Sequence, residues 1–297
     1  MTDGADRLLP SSSESRPPFP ATNTAALEGD LPAFDKPPVI EVAASLQFDP
    51  IEDLHAVRLG LLWEAYRDRY PRVEVHPPLE SVREVIGPPV PAKLSFSVGA
   101  TMPPPRYWFL NERGTQMIQV QQTRFVLNWR KMDTEVAYPH YSNIRDTLVE
   151  EFGRFEQFLE DESLAGPQLN QAELTYVNHI PVAAGRQQET LQRIVRLWRG
   201  EPEASILPSA EDIQFRARYV MPNMDSPMGR LYVTSETRLR ASNGVPVLSL
   251  TLLARGAPQG AGFAGGLAFM DHGHRWIVQS FADITTPEMH GIWERSQ

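Results

Sequence analysis

The sequence predicts an α+β protein built from two related units, each a sheet with helices packed on one face. Three observations carry that expectation. Short runs with apolar residues at every second position recur between Gly, Pro and Asn punctuation. Apolar stripes at helical spacing stand between those runs. The order strand, helix, antiparallel strands, helix occurs in the first half and again in the second, although the halves share negligible identity.

Residues 1 to 36 are rich in Pro, Ser, Thr and Ala and lack periodicity, so a disordered tail is expected there. The first unit then spans 37–168 and the second 169–297, together one globule. Val39 to Phe48 reads as a strand closed by Asp49-Pro50. A helix follows, with Leu54, Val57, Leu61 and Ala65 in one stripe widened by Leu62, Trp63 and Tyr66, and Pro71 ends it. "VEVHPPLESVREVIGPPVPAK" has too many prolines for a central strand and reads as an edge or loop. Four strands follow at Leu94–Val98, Tyr107–Asn111, Gln116–Gln121 and Arg124–Arg130, with a glycine-containing turn in "NERG". A helix from Ser142 to Glu162 aligns Ile144, Leu148, Phe152, Phe155 and Leu159; its acidic residues Glu150, Glu151, Glu156 and Glu160 are expected to face water.

In the second half "QAELTYVNHIPV" reads as a strand and Glu189 to Arg199 as a helix. Strands at Ile213–Val220, Arg230–Ala241 and Val245–Arg255 follow, the last two joined by Asn243-Gly244, which favours a type I′ turn. Leu267 to Phe281 is expected to be helical, and "TTPEMHGIWER" starts another helix with Thr286 as N-cap and Pro287 at its first position.

Composition limits the function classes. With 41% hydrophobic and 22% charged residues the chain is typical of a globular protein, and no apolar run is long enough to span a bilayer. The first residues lack a basic segment followed by an apolar one, and cysteine is absent, so a cytoplasmic location and no disulfide or thiol chemistry are expected. A net charge of -9 disfavours non-specific binding to nucleic acid. Lysine occurs only at Lys36, Lys93 and Lys131, consistent with a GC-rich coding bias, which leaves a catalytic lysine few candidates.

"FMDHGHRWIV" places Asp271, His272 and His274 within four positions. On a helix, residues two apart diverge by about 200°, so the two imidazoles cannot share an ion. Leu267, Met270, His274, Ile277, Val278 and Phe281 form one stripe, which turns His274 inward and His272 outward. Zinc also needs three or four ligands, so no metal site and no cofactor are expected. "RGAPQGAGFAGG" lacks both the Lys-Ser/Thr of a phosphate loop and a βαβ setting, and reads as a flexible connection before a helix N-terminus able to meet an anion. Arg216 and Arg218 share one face of their strand; Arg230, Tyr232, Arg238 and Arg240 share a face of the next, a surface suited to single-stranded nucleic acid or a phosphorylated ligand. The simpler reading is the polar outer face of a sheet. "ELTYVNHIP" carries Glu173, Asn178 and His179, a carboxylate and an imidazole at opposite ends of one strand.

Four ordered phrases, "PPVIEVAASLQFDP" with "LGLLWEAYRDRYPRVEVHPPL", "YWFLNERGTQMIQVQQTRFVLNWRK", "AELTYVNHIP" and "HRWIVQSFADITTPEMHGIWER", resemble the sporadically distributed bacterial family of unknown function that is known only by a numbered model. The likeness runs from Pro37 to Arg295, and "GAPQGAGFAGG" departs from it. It implies no assigned chemistry. A shared site would fall on Asn128, Arg130, Glu173, Asn178, His274, Thr285, Thr286 and His290, and patchy distribution implies an accessory system of the defence or toxin-control kind.

The leading expectation is a non-catalytic binding or interaction protein with a protein partner, because no strong catalytic signature is present. One alternative is a hydrolase or nuclease using Glu173, His179, His274 or His290 between the halves. The other is RNA or nucleotide binding by the arginine-bearing sheet.

Overall fold

Val42, Ala44, Leu46 and Phe48 alternate along the first strand with Glu41, Ala43, Ser45 and Gln47, which gives the strand one apolar and one polar side. A computed structural model describes residues 29–87, 104–132, 136–182, 187–197, 206, 212–223, 227–240 and 243–296. In it this segment is β1 (Val39–Phe48), and the apolar set is buried in the core. α1 (Ala56–Glu64), β2 (Arg72–His76), β3 (Arg106–Leu110), β4 (Gln116–Gln121), β5 (Arg124–Arg130) and α2 (His140–Asp161) follow. Then come β6 (Leu169–Pro181), α3 (Gln187–Ile194), β7 (Phe215–Met221), β8 (Gly229–Leu239), β9 (Pro246–Gly256), α4 (Gly262–Ile284) and α5 (Pro287–Ile292).

The described strands form one antiparallel sheet in the order β2-β3-β4-β5-β1-β6-β9-β8-β7. This replaces the expected sheet per half. β1 pairs with β6 from Val39↔Asn178 to Phe48↔Leu169, so strands from both halves join one ladder. The helices cover one face. α2 sets Phe152 against Phe125 at 5.3 Å and Phe155 against Phe48 at 5.8 Å. α4 presses on β6 and β9, and a Cβ added at Gly273 would come 2.9 Å from the Ala254 Cβ on β9, so glycine at this position lets the helix approach this closely. The other face of the sheet carries the polar side of each central strand.

Several expectations change. Gly262 to Gly266 lie inside α4, so this part of the glycine-rich stretch serves close packing instead of a flexible connection. The segment 31–36, assigned to the tail by composition, is folded: Phe34 bridges Arg295, and the Lys36 amide donates to the Trp293 carbonyl at 3.1 Å. One aromatic ring explains this, since Phe34 packs edge-on against Phe281 at 5.5 Å, and averaged composition hides a single anchor. Along α1 the buried residues are Leu59 and Leu62, followed by Tyr66, while Val57 and Leu61 are exposed. Both sets satisfy helical spacing, and the set leading to the large ring won. Glu151 does not face water. Its carboxylate is enclosed, accepts from the Tyr70 hydroxyl at 3.0 Å, and lies 2.9 Å from Arg69; burial outweighs these partners and holds its carboxyl above the ordinary range.

The β8–β9 connection is also not a two-residue type I′ turn. The Arg240 amide donates to the Val245 carbonyl at 2.9 Å, closing a four-residue loop, and only Gly244 of the pair Asn243-Gly244 has positive φ. The "NERG" turn forms as expected, closed by the Asn111 amide on the Gln116 carbonyl at 3.0 Å. The expected strand Leu94–Val98 and residues 1–28 lie outside the described residues, and the helix expected to reach Arg199 ends at Ile194, where Val195 leaves it to bridge Thr285.

Candidate functional site

The start of α2, β6, α4 and the segment 31–37 face one another. They enclose a cavity of about 430 Å³. Its walls are largely apolar: Val39, Leu252, Ile277, Val278, Phe34 and Phe281. Helical spacing on α4 makes this wall, because His274, Ile277, Val278 and Phe281 fall on one side of it. His140, which opens α2 at the rim, has φ 63°. That left-handed conformation costs a non-glycine residue roughly 1–2 kcal/mol, and such strain concentrates at binding sites.

Polar groups converge at one place on this wall. The Tyr138 and Tyr176 hydroxyls are 2.9 Å apart, and the Tyr176 hydroxyl is 3.1 Å from His274 Nδ1. Tyr141 stacks on the imidazole with centroids 4.1 Å apart and planes 11° off parallel. Its hydroxyl donates to Asp271 Oδ1 at 2.8 Å, and Arg145 Nε donates to the same oxygen at 2.9 Å. Burial lowers the His274 pKa to about 4, with Asp271 opposing and Arg275 adding to the shift. Burial likewise pushes Tyr138 up to about 12. The whole chain of groups is therefore uncharged at neutral pH. His274 Nε2 has no hydrogen-bond partner among the described residues.

The proton order in this chain runs either way. If Tyr138 donates to Tyr176 and Tyr176 to Nδ1, then Nε2–H is offered to the cavity. If Nδ1–H donates to Tyr176, the Tyr138 O–H is offered and Nε2 accepts. Each arrangement leaves one donor and one acceptor at the two ends.

The other sequence candidates are scattered. His272 is exposed, with Nδ1 3.0 Å from the Ala268 carbonyl. His290 is buried on α5, its Nε2 2.8 Å from the Thr285 hydroxyl and its Nδ1 3.3 Å from Arg295, and it packs behind Phe34 instead of entering the cavity. Burial lowers its pKa. Thr286 caps α5, accepting from the Met289 amide at 3.5 Å. Glu173 projects from the polar side of β6, opposite the helices, where it meets Arg255 at 3.0 Å and Arg124 at 3.3 Å. His179 shares that side, its pKa lowered by burial and then by Arg240 and Arg238. Asn178 donates to the Leu250 carbonyl at 3.0 Å and borders the cavity. A hydrolase site combining Glu173 with His274 is therefore not assembled, because the sheet separates them. No group of three or more His, Asp or Glu suited to a metal occurs among the described residues.

Asn128 donates to Glu41 at 2.7 Å, and Arg130 donates to the Gly114 carbonyl at 3.3 Å. The sheet registers place Arg216, Arg218, Arg230, Tyr232 and Arg238 on one face, as the alternation predicts, with Arg240 just beyond β8. They are not equivalent. Arg216 and Arg218 are exposed and Arg238 pairs with Glu236, whereas Arg230 and the Tyr232 hydroxyl both bind Glu84. A base could not stack on Tyr232 without competing with the Arg216 and Arg255 guanidiniums, 5.9 and 5.5 Å from its ring centroid.

Sequence reasoning missed Tyr138 and Tyr141, and read Tyr176 only as a strand residue. The available signal was a tyrosine on the apolar side of a central strand, since a buried hydroxyl requires a partner. No helix among the described residues is long and apolar enough to cross a membrane. No family model matches the sequence, and no curated protein does either.

Proposed function

We propose that the protein is a binding component that holds a small, mostly apolar molecule ending in a neutral hydrogen-bonding group such as an amide or alcohol. The observation that carries this reading is the cavity of about 430 Å³ with its apolar walls and single Tyr138–Tyr176–His274 polar chain. Its volume lies in the range of about 300–1,000 Å³ typical of small-molecule sites. Charge decides the ligand class. An anion would bind best to a protonated imidazole, but His274 is held neutral down to about pH 4. The donor and acceptor at the ends of the chain instead match a neutral group. Membership of the sporadically distributed bacterial family, the internal duplication, a protein partner and a place in an accessory system of the defence or toxin-control kind are part of the same proposal.

The neutral dye N-phenylnaphthylamine tests the ligand seat, because it is apolar and carries one N–H. The expected result is enhanced fluorescence with Kd near 10 µM, about 7 kcal/mol. Val278→Trp, which fills the cavity, is expected to abolish it while leaving Tm unchanged. Equal enhancement by both proteins, or none in the wild type at saturating dye, would reject the cavity as a ligand seat.

A further inference from the structure

The polar face of the sheet is not open water. Beyond β2, residues 77–87 cross it nearly perpendicular to the strands, touching one strand after another. On β4, the Gln121 amide accepts from the Leu79 N–H at 2.9 Å and donates to the Leu79 carbonyl at 3.0 Å. On β5, Arg124 donates to the Glu80 carbonyl at 3.4 Å. Gln47 on β1 accepts from the Val82 N–H at 3.0 Å, and Gln171 on β6 accepts from the Glu84 N–H at 2.6 Å. On β8, Arg230 and the Tyr232 hydroxyl then take the Glu84 carboxylate, which is almost fully enclosed.

Two features separate this strap from an ordinary connecting loop. Among the described residues no main-chain to main-chain hydrogen bond holds it, and three of its apolar side chains, Leu79, Val82 and Val85, remain 39%, 38% and 69% exposed, while Ile86 is partly buried. Its attachment consists mainly of side chains reading a main chain, with one carboxylate in a cationic socket and one surface ion pair, Arg83 to Asp49 at 2.9 Å. An extended peptide with a glutamate at that position can make the same main-chain and socket contacts, the exposed Arg83–Asp49 pair aside. This is the division of labour in peptide recognition, where main-chain bonds give affinity and a side-chain pocket gives specificity. The same side of the sheet continues toward β3, where Gln119 Oε1, Trp108 Nε1 and Arg106 Nε are buried without a hydrogen-bond partner among the described residues. Gln119 is only 6% exposed. Such atoms are costly to leave unpaired.

We propose that this face is a docking surface for an extended acidic peptide of a partner protein, and that residues 77–87 occupy it as a built-in stand-in that the peptide displaces. The Arg230–Tyr232 socket reads a glutamate of the partner, while Gln47, Gln121 and Gln171 read its main chain without regard to sequence. This proposal is independent of the cavity and its ligand.

A labelled synthetic peptide with the sequence of residues 77–87, titrated against the full chain by fluorescence anisotropy, tests it. The tethered strap competes at an effective concentration on the order of millimolar, so the wild type is expected to bind the peptide weakly. Glu84→Gln in the protein weakens the strap's own anchor and is expected to raise affinity for the peptide at least about tenfold, the scale of one charge-assisted hydrogen bond. The same glutamate changed to glutamine in the peptide should cancel that gain. A folded Glu84→Gln protein that binds the peptide no better than wild type does would overturn the proposal. Hydrogen exchange on the wild-type chain is a separate test that holds even if the variant fails to fold. The Leu79, Val82 and Glu84 amides are expected to exchange well before those of β1 and β6; exchange only together with those strands would overturn the displaceable strap.

Discussion

The His274 imidazole makes a quantitative prediction about acid stability. Tyr141 stacks on it, Tyr176 occupies Nδ1, and Asp271 and Arg275 of its own helix are the charges acting on it. Burial lowers its pKa from 6.5 to about 4 in the folded chain. The unfolded state therefore binds the proton first as pH falls, and the stability this group contributes, present above pH 6.5, is lost through the interval down to about pH 4. At 1.36 kcal/mol per unit the whole interval is worth about 3 kcal/mol, of which about 2.5 kcal/mol is gone by pH 4.5. His179 and His290 are shifted in the same direction and Glu41 and Glu151 in the opposite one, so the wild-type profile alone does not isolate the effect. His274→Gln keeps an acceptor for the Tyr176 hydroxyl and removes the titration. Urea unfolding from pH 8 to 4.5, followed by tryptophan fluorescence, should show the wild type losing about 2.5 kcal/mol more than the variant. Profiles parallel to within about 0.5 kcal/mol would refute the claim that this ring is held neutral by burial.

Two further perturbations probe the frame around both surfaces. Gly256→Ala at the end of β9 would bring a Cβ to 2.1 Å from the Met228 carbonyl and 2.5 Å from the Phe269 ring. A cost above about 3 kcal/mol is expected, seen as a Tm fall of at least about 6 °C in differential scanning fluorimetry, and a fall under about 2 °C would show that the strand ends shift freely. Thr286→Ala removes both the cap on the Met289 amide and the hydroxyl's bond to the Arg193 carbonyl. It should lower stability by about 1 kcal/mol in urea unfolding, with the m-value unchanged.

How much of this the sequence revealed follows from the range of the interactions involved. The helix stripe that turns His274 inward was legible because it depends on residues three and four apart. The Thr286 cap was legible because its partner, Met289, is three residues away. The cavity was not, since Tyr138, Tyr176 and His274 meet across 38 and 98 positions. The joining of both halves into one sheet was equally hidden. β1 and β6 each read as an alternating strand, and nothing local says that they pair with one another.

The polar face shows the limit most clearly. Alternation along β1, β4 and β6 places Gln47, Gln121 and Gln171 on the non-core side in the structure. The further step, that a non-core side meets water, fails: these glutamines are 1%, 5% and 1% exposed. Period-two patterning separates apolar from polar sides but carries no information about what covers the polar one. The covering segment gives no periodic signal of its own, because a strap held by side chains along its main chain needs neither alternation nor a helical stripe. What marked it was proline content, which excluded a central strand. Its true register is set by Glu84 finding Arg230 across 146 positions. A contact that distant is specified by shape and charge in the folded state, so only the structure shows what covers the polar side of this sheet.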